Sequence, residues 1–126
     1  MEKLSVSIVL HNTPLDDINQ ALDSFKNAPK SVEIFLLDNS HNDNLLCLSH
    51  DDRVTYVKST NEGFGAGHNH LINKYNLLHN YDYHLVMNPD IKFNFDVLSK
   101  MISFMEANRD VGVVMPRILN DDGSLQ

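Results

Sequence analysis

Apolar runs and amphipathic segments alternate along this chain, and that pattern predicts its secondary structure. Short continuous apolar runs rich in β-branched residues predict buried strands. Amphipathic segments with apolar residues at helical spacing predict helices between them. Five strands are predicted: Leu4–Leu10, residues 32–37, residues 53–57, Tyr83–Met87 and residues 111–115, the last ended by Pro116.

Three helices are predicted between these strands. Thr13 is suited to cap the first and Pro14 to occupy its first position, while Asn94 is suited to cap the third. The second helix is predicted at residues 66–78. Residues 42–49 show a weaker pattern for a further short helix. The predicted buried faces are Leu15, Ile18, Leu22 and Phe25; then Leu71, Ile72, Tyr75 and Leu78; then Phe95, Leu98, Met101, Ile102 and Met105.

The alternation of strands and helices predicts an α/β fold. We expect an α/β/α sandwich with a mainly parallel sheet and right-handed crossovers, formed by residues 1–126 as a single domain. In such sheets ligands bind beyond the carboxyl ends of the strands. The polar residues that fall at those ends are His11, Asn12, Asp38, Asn39, Asn88 and Asp90. Their coincidence predicts a binding site at this edge of the sheet.

Charge and composition exclude several classes of partner. The net charge is −7 and the ten basic residues are scattered, which argues against nucleic acid and against anionic lipid. No apolar run approaches the roughly 18 residues that a membrane span needs. The single cysteine, Cys47, cannot form an internal disulfide, which fits a reducing compartment. Residues 120–126 have the pattern of a turn before a further segment, so we expect the chain to be the front part of a longer protein, truncated at its C-terminal end.

Two segments near the predicted site favour phosphate and base binding. Gly63, Gly65 and Gly67 precede a helix, where backbone amides and the helix N-terminus favour phosphate oxygens. The alternatives are a plain strand-to-helix turn and a dinucleotide fingerprint, although the spacing is G-x-G-x-G. Asp38 directly follows an apolar strand, where a carboxylate can accept hydrogen bonds from a nucleobase or ribose. Its alternative role is in an Asx turn or a helix cap.

The segment Asn88-Pro89-Asp90 ends the fourth strand and favours a divalent cation. Mg²⁺ takes one or two protein carboxylates and completes its shell with phosphate oxygens and water, so Asp90 can supply one ligand. Asn88 offers only a neutral oxygen and is better suited to hydrogen-bond a ligand. The alternative is an ordinary turn, for which Asn-Pro-Asp is also well suited. His68 lies at the start of the second helix, where it can contact the ligand.

Taken together, these segments resemble the N-terminal half of a family 2 glycosyltransferase of the GT-A fold. The segments that carry the resemblance are SVSIVLHN (residues 5–12), LLDNS (36–40), NEGFGAGHN (61–69), MNPD (87–90) and the tail MPRILNDDGSLQ (115–126). The Asn-Pro-Asp and Gly-Phe-Gly-Ala-Gly-His-Asn forms look most like the rhamnosyltransferase-like branch of the family.

This resemblance implies a role for each matching residue. The residues implied to bind the nucleotide are Leu10, His11, Asn12, Asp38, Asn39, Asn61 and Gly63. The residues implied to contact the donor sugar are Gly67, His68, Asn69 and Asn88. Asp90 matches the last acid of the family's Asp-x-Asp and would bind Mg²⁺ or Mn²⁺ on the diphosphate. Asn88 stands where the family has an acid, which is a departure from that pattern.

The resemblance also implies an activity. The expected reaction is inverting transfer of a sugar, with rhamnose as one candidate, from a UDP- or dTDP-sugar to a saccharide or lipid-linked acceptor in cell-surface polysaccharide synthesis. The expected location is cytoplasmic, with peripheral attachment at the inner face of the membrane as an option. In this family the general base lies on a later segment, so no catalytic residue is assigned and little transfer by this chain alone is expected.

Two other functions are weighed against this one. A non-catalytic module would bind nucleotide sugars without transferring them, and the longer protein would then lack a downstream acidic segment. A dinucleotide-binding domain of an oxidoreductase would bind a nicotinamide cofactor without a metal. Whichever function holds, a truncated sheet that leaves an apolar face or a strand edge exposed would favour self-association, so a homo-oligomer is one expectation.

Overall fold

The computed structural model describes residues 2–60 and 63–126 of the chain. Two compact units are formed, Met1–Lys92 and Phe93–Gln126. The helices and strands of the first unit are β1 (Leu4–Leu10), α1 (Leu15–Asp23), β2 (Val32–Asp38), a 3-10 helix (Leu46–His50), β3 (Val54–Lys58), α2 (Phe64–Lys74), α3 (Leu77–Asn80) and β4 (Tyr83–Met87). The second unit contains α4 (Asp96–Ala107).

The four strands form one parallel sheet in the order β3-β2-β1-β4. Flanking helices connect them, so the predicted α/β fold with a parallel sheet is confirmed. The register aligns Leu10 of β1 with Asp38 of β2, and Asp38 with Lys58 of β3. These carboxyl ends therefore meet at one edge. On the other side of β1, Met87 of β4 pairs with Ile8, so the Asn88-Pro89-Asp90 turn follows at the same edge.

One apolar core packs α2 and α3 against the sheet. Its buried members are Val9, Phe35, Leu37, Leu71 and Leu77. They come from β1, β2, α2 and α3. Each of these elements therefore buries its apolar residues by packing against the others. All seven residues of β1 are buried, as expected for a central parallel strand.

The predicted fifth strand at residues 111–115 is wrong. These residues have no regular secondary structure, and Val113 and Met115 are 87% and 78% exposed. An apolar run becomes a strand only where a neighbouring strand supplies hydrogen bonds. In this part of the described chain, strand pairing is an isolated antiparallel bridge between Leu119 and Leu125, closed by a turn at residues 120–124.

The second predicted helix, residues 66–78, is divided in two by the structure. Asn76 adopts a left-handed conformation with φ of 53°, which ends α2 and lets α3 begin at Leu77. This break rotates the buried face, so Leu77 is buried and the predicted core residue Leu78 is 67% exposed. The sequence prediction assumed one continuous helix through this break. It therefore placed Leu78 in the core instead of Leu77.

Smaller differences concern helix ends. The short helix predicted at residues 42–49 is a 3-10 helix at Leu46–His50. Thr13 does not cap α1, because its Oγ1 instead accepts a hydrogen bond from the His11 N–H at 3.2 Å. Asn94 lies two residues before α4, and its Oδ1 accepts from the Asp96 N–H at 3.0 Å. Within the ranges that the structure describes, no helix has the length and apolar character needed to span a membrane.

Candidate functional site

The loops that follow β1 and β2 are tied to each other by hydrogen bonds at the carboxyl edge of the sheet. The Asn39 N–H donates to the Leu10 carbonyl at 2.7 Å, and the Asn12 N–H donates to Ser40 Oγ at 2.8 Å. Asn12 has a left-handed φ of 51°, and its Oδ1 accepts a hydrogen bond from the His41 N–H at 3.2 Å. Residues 10–12 and 39–41 are thus joined by hydrogen bonds, and we call this part of the carboxyl edge the rim. The predicted site residues Asn12 and Asn39 both belong to it.

The first two predicted nucleotide-binding residues differ in their exposure. The Leu10 side chain is fully buried in the core, so only its backbone is at the rim. His11 is exposed, and its Nδ1 lies 3.2 Å from the Asn39 carbonyl oxygen. Its ring packs edge-on against His41, with centroids 5.0 Å apart. Of this pair, only the side chain of His11 is placed where a ligand can reach it.

Asp38 is fully buried and forms several hydrogen bonds within the protein. Its Oδ1 accepts from the Ser40 N–H at 2.9 Å, and its Oδ2 accepts from the Tyr56 hydroxyl at 2.5 Å and lies 3.5 Å from Lys58 Nζ. Burial alone would raise the pKa of Asp38, but the hydrogen bonds from Ser40 and Tyr56 and the charge of Lys58 outweigh it and lower that pKa. Asp38 is therefore a carboxylate that organises the rim, and its predicted contact with the base stays a prediction.

Lys58 joins this carboxylate to the following loop. Its ammonium donates to the Ser40 carbonyl at 3.1 Å and to the Asn42 carbonyl at 2.6 Å, and it lies 3.8 Å from Asp43. The loop after β2 is thus held at several points by a single side chain from β3. Neither Lys58 nor Tyr56 was predicted as a site residue, because only the β2–β3 register brings them beside Asp38.

Asn39 has a buried amide whose hydrogen-bonding capacity is unused. Its side chain is 1% exposed, and neither Oδ1 nor Nδ2 has a hydrogen-bond partner among the described residues. Leaving buried polar groups unpaired costs roughly 1–3 kcal/mol each, so such groups in a native structure call for an explanation. Here they lie at the carboxyl edge of the sheet, where a ligand is expected to supply the missing partners.

Asn88 and Asp90 lie in the turn that follows β4. The turn is closed by the Ile91 N–H, which donates to the Asn88 carbonyl at 3.4 Å. Asp90 is exposed and has no ion pair or hydrogen bond with other residues in the described part of the chain. That part also contains no group of three or more His, Cys, Asp or Glu side chains that could hold a metal by themselves. A free carboxylate of this kind fits a cation that takes most of its ligands from a diphosphate and water.

Gly63 caps the start of α2, directly before Phe64, and its φ of 86° requires glycine. The first intrahelical bond runs from the Gly67 N–H to the Gly63 carbonyl at 3.0 Å, so the N–H groups of Phe64, Gly65 and Ala66 precede it. Asn61, predicted to bind the nucleotide, lies outside the described residues. The start of α2 thus presents backbone donors as the glycine pattern predicts.

The three predicted donor-sugar residues of α2 differ in their surroundings. A Cβ on Gly67 would come within 2.8 Å of Val9 Cγ2, so this glycine lets α2 pack closely on β1. Asn69 is exposed. His68 is 4% exposed, and its Nδ1 lies 2.6 Å from Ser7 Oγ. Contact of these residues with a donor sugar stays a prediction.

His68 is joined to two residues that were not predicted from the sequence, the buried Ser7 and the half-buried His84. Ser7 Oγ also lies 2.9 Å from His84 Nε2. Burial, followed by the nearby His84, lowers the pKa of His68 to about 4. A possible signal in the sequence was that Ser5 and Ser7 interrupt a strand whose other residues are all apolar.

Comparison with known proteins agrees with this arrangement. Residues 5–126 match the family described as glycosyl transferase family 2. No curated protein sequence is significantly similar to the chain. Among solved structures, S. aureus TarS aligns with a TM-score of 0.65 and 18% identity over 94% of this chain and 24% of that chain.

Two structures of TarS residues 1–349 are also similar. One aligns with a TM-score of 0.67 and 17% identity, covering 91% of this chain and 38% of that one. The other, in complex with UDP, aligns with a TM-score of 0.65 and 18% identity, covering 93% and 41%. This chain therefore spans less than half the length of each TarS structure, and at this identity the likeness shows a shared fold.

Proposed function

The chain belongs to glycosyl transferase family 2, and on that premise we propose that it forms the donor-binding part of a glycosyltransferase that uses a UDP- or dTDP-sugar. The observation that carries this proposal is the buried Asn39 amide, with its unpaired donor and acceptor. The UDP complex of TarS, a protein of the same fold, supports the choice of nucleotide.

The chemistry of the Asn39 amide matches the base of these nucleotides. Uracil and thymine present an N3–H donor next to the O4 acceptor. An amide offers an acceptor and a donor at the same spacing and can bind such an edge through two hydrogen bonds, as asparagine does with adenine in DNA. Binding would satisfy both groups that folding leaves unpaired. Adenine can also pair with an amide but is a larger, two-ring base, so ADP is the control ligand that tests whether the site accepts only a pyrimidine.

Asp90 would hold Mg²⁺ or Mn²⁺ together with the diphosphate of the donor. When bound, the cation would neutralise the charge that develops on the leaving diphosphate. The N–H groups at the start of α2 would bind phosphate oxygens and position the diphosphate. Asn88 would donate a hydrogen bond to the donor, since its neutral amide is a poorer metal ligand than a carboxylate.

The reaction we propose for the longer protein is inverting transfer to a hydroxyl of a saccharide or lipid-linked acceptor in cell-surface polysaccharide synthesis. Rhamnose is one candidate for the sugar. The proposed location is the cytoplasm, with peripheral attachment at the inner face of the membrane as an option. No residue of this chain is assigned as the general base, so we expect the 126-residue chain to bind a donor nucleotide and to show no robust transfer.

Calorimetric titration with UDP, dTDP and ADP, each with and without Mn²⁺, tests the proposal. We expect binding of UDP or dTDP that depends on Mn²⁺ and weak or no binding of ADP. Asn39→Ala should weaken binding of UDP about fivefold or more, since one bidentate pair contributes about 1–3 kcal/mol. Asp90→Ala should abolish the Mn²⁺ dependence, whereas Asp121→Ala, which removes an exposed acid of the second unit, should bind as wild type.

The proposal is wrong if a folded chain binds neither UDP nor dTDP, or binds ADP equally well. A non-catalytic binding module is separated from an enzyme by the longer protein. If that protein binds the donor nucleotide and Mn²⁺ but transfers no sugar to any saccharide or lipid-linked acceptor, the binding module is the better description.

A further inference from the structure

A chain of four polar side chains runs beneath α2, from Ser5 to His68. Ser5 and Ser7 are fully buried on β1, and the register pairs Ser5 with His84 of β4. Ser5 Oγ lies 2.7 Å from His84 Nδ1, His84 Nε2 lies 2.9 Å from Ser7 Oγ, and Ser7 Oγ lies 2.6 Å from His68 Nδ1. The three contacts form one continuous series that ends at His68.

These distances favour one order of protons along the series. Hydroxyl donors form shorter hydrogen bonds than ring N–H donors, about 2.7–2.8 Å against about 2.9–3.0 Å. The two shorter contacts therefore have the serines as donors: Ser5 donates to His84 Nδ1, and Ser7 donates to His68 Nδ1. The longer contact has the His84 Nε2–H as the donor to Ser7. Each hydroxyl then donates once, and each histidine is neutral with its proton on Nε2.

The reverse order fits the structure less well. It would require the Ser5 hydroxyl to donate to the Tyr83 carbonyl, and that distance is 3.5 Å. It would also place a ring N–H in each of the two short contacts. The low pKa of His68, about 4, agrees with a neutral ring at neutral pH.

The series therefore leaves the Nε2–H of His68 as a buried donor with no partner among the described residues. The ring lies at the first turn of α2, because it packs against Phe64, the first residue of that helix, with centroids 4.4 Å apart. Phe64 is 51% exposed, and a Cβ on Gly65 would meet no atom within 4 Å. This turn of α2 therefore borders solvent at Phe64 and Gly65.

We propose that His68 donates a hydrogen bond from Nε2 to a diphosphate oxygen of the nucleotide donor, and that Ser7 and His84 are positioning residues that hold it in this tautomer. The inference rests on the proposed donor-binding function. A diphosphate is the fitting acceptor because the N–H groups at the start of α2 and the helix dipole favour negative charge at the same turn. A neutral histidine with a fixed tautomer supplies the donor without adding a charge.

Histidine ¹⁵N NMR of the ligand-free protein tests the tautomer directly. We expect the His68 ring to show a protonated Nε2 and an unprotonated Nδ1, while the exposed His79 shows the mixture of an unrestrained ring. In Ser7→Ala and in His84→Phe the His68 tautomer preference should weaken, while Ser49→Ala, which changes an exposed serine, should leave it unchanged. A wild-type His68 with its proton on Nδ1 overturns the inference without any variant.

Titration with UDP and with uridine, which lacks the diphosphate, tests the contact. His68→Leu should weaken binding of UDP at least tenfold and leave binding of uridine unchanged. His68→Gln should bind UDP within about threefold of wild type, because its amide nitrogen can donate from a position close to that of Nε2. Ser7→Ala should weaken binding of UDP about threefold to fivefold, with uridine again unchanged.

The outcomes separate this inference from the proposed function. If wild type binds UDP and His68→Leu binds UDP and uridine as tightly as wild type, only the role of His68 is wrong. If His68→Leu weakens UDP and uridine to the same extent, the residue acts on folding and the inference is again wrong. If wild type binds neither UDP nor dTDP, both proposals fail.

Discussion

Asp38, Asn39 and His68 are three buried polar side chains near the carboxyl edge of the sheet, and they differ in how their polar atoms are satisfied. Asp38 has partners for both oxygens within the protein. Among the described residues, Asn39 has no partner for its amide, and His68 has one for Nδ1 and none for Nε2. The protein thus satisfies the group that organises the rim and leaves open the two groups that we assign to ligand binding.

Removing the Tyr56 hydroxyl should destabilise the protein. Tyr56→Phe leaves the buried Asp38 carboxylate without its 2.5 Å hydrogen bond, which should lower the free energy of unfolding by about 1–3 kcal/mol. Urea denaturation of the variant at pH 7 measures the change. Tyr75→Phe is the matched control, since the Tyr75 hydroxyl has no hydrogen bond to the rest of the described chain, and an equal loss in both variants would contradict the prediction.

His68 should make the stability depend on pH. Its pKa is about 4 in the folded protein and about 6.5 in the unfolded chain, so the unfolded chain binds a proton first as the pH falls. The free energy of unfolding is therefore unaffected by His68 above about pH 6.5. Between about pH 6.5 and 4 it falls as the pH falls, by up to about 1.4 kcal/mol per pH unit. Denaturation midpoints of wild type and His68→Gln across this range measure it. Parallel pH profiles would show that His68 does not contribute.

At the scale of single elements, the first residues of α2 have two roles, to supply backbone donors and to pack closely on the sheet. Its start supplies backbone N–H groups, and one turn later Gly67 allows the helix to pack within van der Waals distance of β1. The glycines of this segment are therefore not equivalent. Gly63 supplies a positive φ, Gly65 lies in open space, and Gly67 lies in close contact with Val9 and Leu37.

Two substitutions distinguish these glycines. Gly67→Ala should destabilise the protein by about 1–3 kcal/mol, because the new Cβ would overlap Val9 and force α2 away from the sheet. Gly65→Ala should stabilise it by up to about 1 kcal/mol, since alanine favours a helix and nothing lies within 4 Å of the new Cβ. Thermal denaturation of both variants measures the difference, and a loss of stability in Gly65→Ala or none in Gly67→Ala would contradict it.

At the scale of the first unit, the order of the strands decides which residues share the site. β1 and β2 are the inner strands and β3 and β4 are the outer ones. The inner pair ends at Leu10 and Asp38, side by side, and each outer strand brings its own end to the same edge. The site therefore combines segments that are as much as 79 residues apart, as are Ser5 and His84.

Hydrogen exchange should follow the same order. Amide protons of β1 and β2 should exchange most slowly, because both strands are paired on two sides and β1 is buried throughout. Amides of β3 and β4 should exchange faster. Exchange measured by NMR at pH 7 checks this, and faster exchange in β1 than in β4 would contradict the strand order.

The sequence by itself determined the order and type of most elements. β1 and β4 have the predicted bounds, and β2, β3 and α1 lie within about one residue or turn of them. This success has a local cause, since apolar periodicity and turn residues act within a few positions of the chain. The parallel sheet and the edge at which polar residues gather follow from the same alternation.

The tertiary structure decided what local pattern cannot encode. Residues 111–115 have a strand-like pattern but no strand partner within residues 2–60 and 63–126, and the left-handed Asn76 moved the buried position from Leu78 to Leu77. Only the register of β2 and β3 brings Tyr56 and Lys58 beside Asp38. In the same way, only the folded structure brings Ser7 between His68 and His84. These contacts join residues distant in the chain, so their energies depend on the folded arrangement and leave little trace in the local sequence.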